Sequence, residues 1–304
     1  MSKIAFIFPG QGAQYVGMGK DFYENSEVAK SIFDKATELG SEDMTKLCFE
    51  ENDKLNITEY TQIAMLTVCA AMLAEIENRG YKPQVCAGLS LGEYSGLLAA
   101  GVLSFEEAFK IVEKRGRFMQ EAVPTGGAMA AVLGLETLKI EETLKTVDGI
   151  VQIANYNCPG QIVISGEEKA VEAAGEALTA AGAKRVLKLN VSGPFHSLML
   201  KEAGEKLKTV LDGAKLEDVA IPYVSNVTAD YVTDKAPITD LLEKQVYSSV
   251  KWQQSVEKML AEGVDTFVEI GPGKTLSGFM KKIDKTVKVM NIEKYEDLEK
   301  LTEL

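Results

Sequence analysis

VCAGLSLGEYSGLLAAG, residues 85–101, is the stretch from which the fold can be read. Its opening Val85-Cys86-Ala87 is short and apolar throughout, as expected of a strand buried on both faces. Gly88-Leu89-Ser90-Leu91-Gly92 then turns that strand into a helix ending near Gly101. A glycine on each side of the serine permits a sharp turn and a close backbone approach, the setting of a nucleophile elbow. There the Ser90 hydroxyl stands at the C-terminal end of a sheet, beside a helix N-terminus whose free N–H groups favour a developing oxyanion. The five-residue pattern alone also fits an ordinary turn, so its meaning depends on the rest of the chain.

Outward from this stretch, short apolar runs alternate with helical periodicity. Ile4–Phe8, closed by Pro9-Gly10, reads as another buried strand, and a long helix is predicted over 59–78. Helical periodicity returns over 105–120 and stops at Pro124, Gly126 and Gly127. Residues 126–191 then change rhythm. Strands at 128–133, 151–155, 162–165 and 185–189, with helices at 136–146 and 167–181, give the β-α-β-β-α-β order of a ferredoxin-like unit. After it, strands at 223–227, 267–270 and 287–292 alternate with helices at 238–247, 253–262 and 275–283. Strands separated by helices imply a parallel sheet covered on both faces. The expected architecture is a large parallel-sheet α/β-hydrolase-like domain, 1–125 and 192–304, with a small ferredoxin-like α+β subdomain inserted at 126–191. The cleft between them is the default ligand site.

With 304 residues, the chain has room for a full core and a deep cleft. Its net charge of −12 excludes a general nucleic-acid or anionic-membrane surface, and an anionic substrate must meet a local basic cluster. Lys184 and Arg185, with Lys281, Lys282 and Lys285, are candidates for such a cluster, although each also reads as a solvated lysine or arginine. Cys48, Cys69, Cys86 and Cys158 show no metal or redox spacing and read as core thiols of a reducing compartment. The apolar run at 4–8 is too short for a signal-peptide core or a membrane span. A cytoplasmic monomer is expected.

A serine needs a base to become nucleophilic at neutral pH, and the chain has a single histidine. If Ser90 works through an imidazole, that imidazole is His196, which lies in the turn-rich Ser192-Gly193-Pro194-Phe195-His196-Ser197 after the last strand of the small unit. Pro9-Gly10-Gln11-Gly12 follows the first strand and offers a backbone N–H as a second oxyanion donor. It is no dinucleotide loop, because Tyr15 stands where Gly-x-Gly-x-x-Gly needs its third glycine. Gly271-Pro272-Gly273-Lys274-Thr275 likewise fails as a phosphate loop, with Val268 at the first glycine position. Arg115 follows an amphipathic helix and, taken alone, reads as a solvated helix-end cation.

Taken together, FPGQGAQ at 8–14, GLSLGEYSGLLAAG at 88–101, RGRFMQEAVP at 115–124, NYNCPGQIVISG at 155–166, GPFHS at 193–197, VSNVTA at 224–229, QVYSSVKW at 245–252 and EIGPGKTL at 269–276 resemble the malonyl-CoA:acyl-carrier-protein transacylases, acyltransferases of fatty-acid and polyketide synthesis. The resemblance runs nearly end to end. It implies Ser90 as nucleophile and His196 as its base, oriented by the main-chain carbonyl of Gln245. It implies the amides of Gln11 and Leu91 as oxyanion hole and Arg115 as the bidentate partner of the malonyl carboxylate, a fork that lysine cannot supply. Met119, Asn157 and Phe195 would line the acyl pocket, with Arg117 the next cation should Arg115 not serve. Malonyl-CoA and an acyl carrier protein are the implied partners, with no metal or redox cofactor. One departure is Leu89, where the family commonly has histidine before the nucleophile; that histidine is not the base, so the change should tune the site. The rival readings are a serine acyl-thioester hydrolase, a polyketide-pathway acyltransferase and an inactive carrier-docking protein.

Overall fold

The computed structural model describes residues 2–191 and 193–304. Met1 and Ser192, and with Ser192 the domain boundary expected there, lie outside the described residues. The chain opens with β1 (Ile4–Phe8), α1 (Lys20–Asn25), α2 (Glu27–Leu39), α3 (Met44–Phe49) and α4 (Thr58–Asn78). It continues through β2 (Val85–Gly88), α5 (Gly92–Ala99) and α6 (Phe105–Ala122). A second group follows: β3 (Gly127–Leu133), α7 (Thr137–Leu144), β4 (Val151–Cys158), β5 (Gln161–Glu167), α8 (Glu168–Ala180) and β6 (Arg185–Lys188). The rest comprises α9 (Lys201–Asp212), β7 (Tyr223–Val224), β8 (Tyr231–Val232), α10 (Ile238–Gln245), α11 (Trp252–Ala261), β9 (Thr266–Ile270), α12 (Thr275–Ile283) and β10 (Lys288–Ile292).

The fold is mixed α/β. One sheet has the order β10-β9-β1-β2-β7-β8, parallel from β10 to β7. The other has the order β4-β5-β3-β6 and is antiparallel throughout. The continuous apolar run IAFIF follows from burial on both faces of β1. Phe6 and Phe8 join the core under α4 and α6, while Ala5 and Ile7 face the core that includes Trp252, Val256 and Leu276 from α11 and α12. Helix α4 carries buried residues on all sides, which explains its lack of a polar stripe. No helix among the described residues is long and apolar enough to cross a membrane.

Three expectations need correction. The large sheet is not wholly parallel, because β8 pairs antiparallel with β7 at its edge. The strand expected over 223–227 ends at Val224, where a tight turn (Ala229 N to Ser225 O, Ser225 N to Asp230 O) carries Asn226 away from the ladder. Arg115 lies inside α6 and is 1% exposed, so it is no solvated helix-end cation. Helices α1, α2, α3 and α9 fall where no element was expected. Helical spacing was there to be read, since Ala29, Phe33 and Ala36 share the inward face of α2 and Ala203, Leu207 and Leu211 that of α9.

Candidate functional site

The C-terminal ends of β1 and β2 meet at a cavity of about 900 Å³. Strand β1 delivers Pro9-Gly10-Gln11, β2 delivers Leu89-Ser90, and Thr275, Leu276 and Phe279 of α12 close one side. The turn from β2 into α5 needs its glycines. A Cβ on Gly88 would sit 1.9 Å from Gly92 O, and one on Gly92 would sit 2.2 Å from Phe8 O. Ser90 is held at φ 54 and His196 at φ 58, left-handed conformations that non-glycine residues adopt only when their surroundings enforce them.

Ser90 Oγ lies 2.7 Å from His196 Nε2, and His196 Nδ1 lies 2.8 Å from the Gln245 main-chain oxygen. That carbonyl can only accept, so the Nδ1 position carries the proton and Nε2 offers its lone pair to the serine hydroxyl. Burial, reinforced by the nearby Arg115 charge, pushes the imidazole pKa down to about 4, which keeps the ring neutral near pH 7.

Arg115 reaches the same point from α6. Its Nη1 donates to Gln62 Oε1 at 2.7 Å, and its Nη2 donates to Gln245 Oε1 at 3.0 Å and Ser90 Oγ at 3.2 Å. The guanidinium stacks over Tyr94 at 5.5 Å, and its Nε has no partner. Burial lowers its pKa from the ordinary arginine value. No carboxylate pairs with it among the described residues; the other two arginines in ion pairs, Arg79 and Arg117, hold Glu75 and Glu121. Arg117 is exposed and lies off the cavity wall, which removes it as an alternative.

Gln11, Met119, Asn157 and Phe195 line the cavity with Ser90, Arg115 and His196. Leu91 and Gln245 do not line it; each meets the site through its backbone or from behind. The amides of Gln11 and Leu91 have no protein acceptor among the described residues. Leu89 contributes to the wall beside Gly10.

Sequence reasoning missed a layer behind these residues. Glu93 is buried, and its Oε2 accepts from Gln245 Nε2 at 2.7 Å and from Asn226 N at 3.3 Å. Burial raises its pKa to about 7, against the lowering effect of those hydrogen bonds and of Arg115. A signal existed, since Glu93 is the single charged residue between Val85 and Ser104. Gln152 of β4 donates to His196 O at 3.0 Å and accepts from Leu198 N at 3.0 Å, pinning the turn that carries the imidazole.

A serine on a strand-to-helix turn, a neutral imidazole hydrogen-bonded to it and two amides without a protein acceptor are the parts that serine acyl transfer or acyl hydrolysis on an α/β fold requires. The acyl transferase domain family matches residues 5–301, and the chain belongs to that family. It is 51% identical over 304 residues to the malonyl CoA-acyl carrier protein transacylase of Bacillus subtilis (strain 168), covering 98% of this chain and 96% of the relative. Among solved structures it resembles the malonyl CoA-acyl carrier protein transacylase of Clostridium perfringens, with a TM-score of 0.96, 46% identity and coverage of 99% and 96% of the two chains. It also resembles a malonyl-transacylase solved in complex with its type II PKS acyl-carrier protein, with a TM-score of 0.96, 39% identity and 99% coverage of each chain.

Proposed function

We propose that this chain moves a malonyl group from malonyl-CoA to the phosphopantetheine thiol of an acyl carrier protein, through a malonyl-Ser90 intermediate, in fatty-acid biosynthesis. The observation that carries the reading is the buried Arg115 guanidinium, one hydrogen bond from the Ser90 hydroxyl and free of any carboxylate partner among the described residues. A desolvated cation at that distance selects an acyl group with its own carboxylate.

Ser90 Oγ attacks the thioester carbonyl as its proton passes to His196 Nε2. The oxyanion develops against the amides of Gln11 and Leu91. The C–S bond then breaks, and coenzyme A leaves with the proton from His196. The carrier thiol enters, gives its proton to the same nitrogen and attacks the malonyl ester, and the proton returns to Ser90 as that ester breaks. The Gln245 carbonyl holds the imidazole in its working tautomer, and Met119, Asn157 and Phe195 bound the acyl group. Apart from the thioester substrate, the steps call for no metal or redox cofactor.

The β3-α7-β4-β5-α8-β6 order and the antiparallel second sheet support reading 126–191 as a ferredoxin-like subdomain inserted in an α/β-hydrolase-like domain, 1–125 and 192–304. Four buried free cysteines are in keeping with a reducing cytoplasm.

The test is labelling with radioactive malonyl-CoA, followed by addition of a holo carrier protein of fatty-acid or polyketide type. Label should stay on the protein until the carrier is added and then move to it. Ser90→Ala should take up none, and His196→Ala should load slower by about 10²–10⁴. Release of free malonate without carrier, as fast as transfer with it, would make the chain a hydrolase and overturn the proposal.

A further inference from the structure

The motif VSNVTA at 224–229 has no part in the chemistry described so far, yet its asparagine lies against the nucleophile turn. Asn226 is 1% exposed. Its Oδ1 accepts from Ser90 N at 2.6 Å, and its Nδ2 donates to Gly88 O at 2.6 Å. The carboxamide therefore bridges the residue that ends β2 and the residue that bears the hydroxyl, across Leu89. Only a side chain with one acceptor and one donor side by side can do this; a carboxylate lacks the donor, and an alkyl group lacks both.

The bridge lies where the backbone is strained. Ser90 has φ 54, a left-handed conformation that strains a residue with a β-carbon and persists only where neighbours enforce it. Without Asn226, the Ser90 N–H and the Gly88 carbonyl would both be buried and unpaired, and the turn could relax toward an ordinary conformation. Asn226 is itself held in place. Its N–H donates to Glu93 Oε2 at 3.3 Å, and its carbonyl accepts from Lys251 N at 3.0 Å. The bridge also occupies the Ser90 N–H, so that amide is not a donor to the oxyanion, in contrast to the free amides of Gln11 and Leu91.

We infer that Asn226 is a positioning residue for the nucleophile: its carboxamide clamps the Gly88–Ser90 turn so that the Ser90 hydroxyl is aimed between His196 and the acyl carbonyl. The inference rests on Ser90 being the nucleophile. Because Asn226 neither lines the cavity nor contacts Arg115, and reaches the wall only through the nucleophile turn, its loss acts on the rate of acylation and not on recognition of the acyl group.

The experiment uses a fluorophosphonate probe, which forms a P–O bond to an activated serine, releases fluoride and needs no acyl recognition. Wild type, Ser90→Ala, Asn226→Ala and Asn226→Asp are compared for probe labelling and for malonyl loading. Asn226→Ala should label and load slower by roughly tenfold to a hundredfold, the range for a small misplacement of a reacting group, with the KM for malonyl-CoA and the malonyl-to-acetyl preference unchanged. Asn226→Asp keeps the acceptor for Ser90 N and should lie between. Hydrogen exchange of the wild-type protein supplies a reading that needs no variant: the Ser90 amide should be protected. Labelling by folded Asn226→Ala within about twofold of wild type, or a Ser90 amide exchanging as fast as exposed turns, would overturn the clamp. Labelling that persists in Ser90→Ala would instead overturn the nucleophile, and the clamp with it.

Discussion

Arg115→Ala tests the proposal that this side chain selects a malonyl over an acetyl group. The guanidinium is 1% exposed, anchored by Gln62 at 2.7 Å and Gln245 at 3.0 Å, and its Nη2 also donates to Ser90 Oγ at 3.2 Å. A malonyl carboxylate meeting that fork makes charge-assisted hydrogen bonds worth about 1.5–3 kcal/mol, more when desolvated. At about 1.4 kcal/mol per tenfold, the bound carboxylate raises the malonyl specificity constant by at least ten- to a hundredfold. An acetyl group leaves the same cation buried and unpaired, which widens the gap further. Arg115→Ala should therefore lose malonyl loading by this factor while acetyl loading holds or rises. Arg115→Lys should recover only part, because an ammonium cannot reproduce the planar fork. The assay is mass-spectrometric measurement of acyl-enzyme formation from malonyl-CoA and acetyl-CoA, read as the ratio of kcat/KM values. An unchanged ratio in Arg115→Ala would refute the reasoning, and Arg117, exposed and paired with Glu121 at 2.9 Å, could not rescue it.

Two further outcomes are expected. His196, lowered from 6.5 to about 4, is unprotonated in the folded chain where the unfolded chain still holds the proton, so its contribution to stability rises with pH through that window. Glu93, raised from 4.5 to about 7, keeps its proton in the folded chain where the unfolded chain has lost it, so its contribution falls with pH. The two slopes, each about 1.4 kcal/mol per pH unit, oppose one another in the wild type; Glu93→Gln should steepen the rise of Tm with pH between 4.5 and 6.5, and His196→Gln should tilt it downward. Curves parallel to wild type would refute both assignments. Lys184, Arg185, Lys281, Lys282 and Lys285 are exposed and outside every ion pair found among the described residues, and Lys282 reaches Gln161 on the cavity rim at 3.0 Å. Charge reversal at Lys184 and Lys282 should raise the KM for an acidic carrier protein and leave malonyl loading unchanged; an equal fall in both would exclude docking as the cause.

The legible parts of this molecule are those with a local signature. The strand-to-helix turn at Ser90 shows itself through Gly88 and Gly92, and His196 through being the single histidine. The Gln245 carbonyl leaves no trace in composition, because any residue at that position carries the same oxygen; only likeness to a known family points to it. Arg115 on a helical rhythm looks like a surface cation, and only tertiary packing against Gln62 and Tyr94 shows it buried. Glu93 passes for the acidic residue that helix first turns favour, and Asn226 for a turn former. Their partners lie more than 130 residues away in sequence, where no periodicity reaches.

The short parallel bridge between Asn155 and Val250 joins β4 of the smaller sheet to the body that carries α11. Tyr156 N to Val250 O at 2.9 Å and Val250 N to Ala154 O at 2.8 Å are main-chain bonds, joined by Ser249 Oγ to Ile153 O and by Gln152 to His196 O. A seam of that kind stiffens the two walls into one frame. Swinging them apart would break these main-chain hydrogen bonds, so the smaller sheet is braced against leaving the body that carries α11.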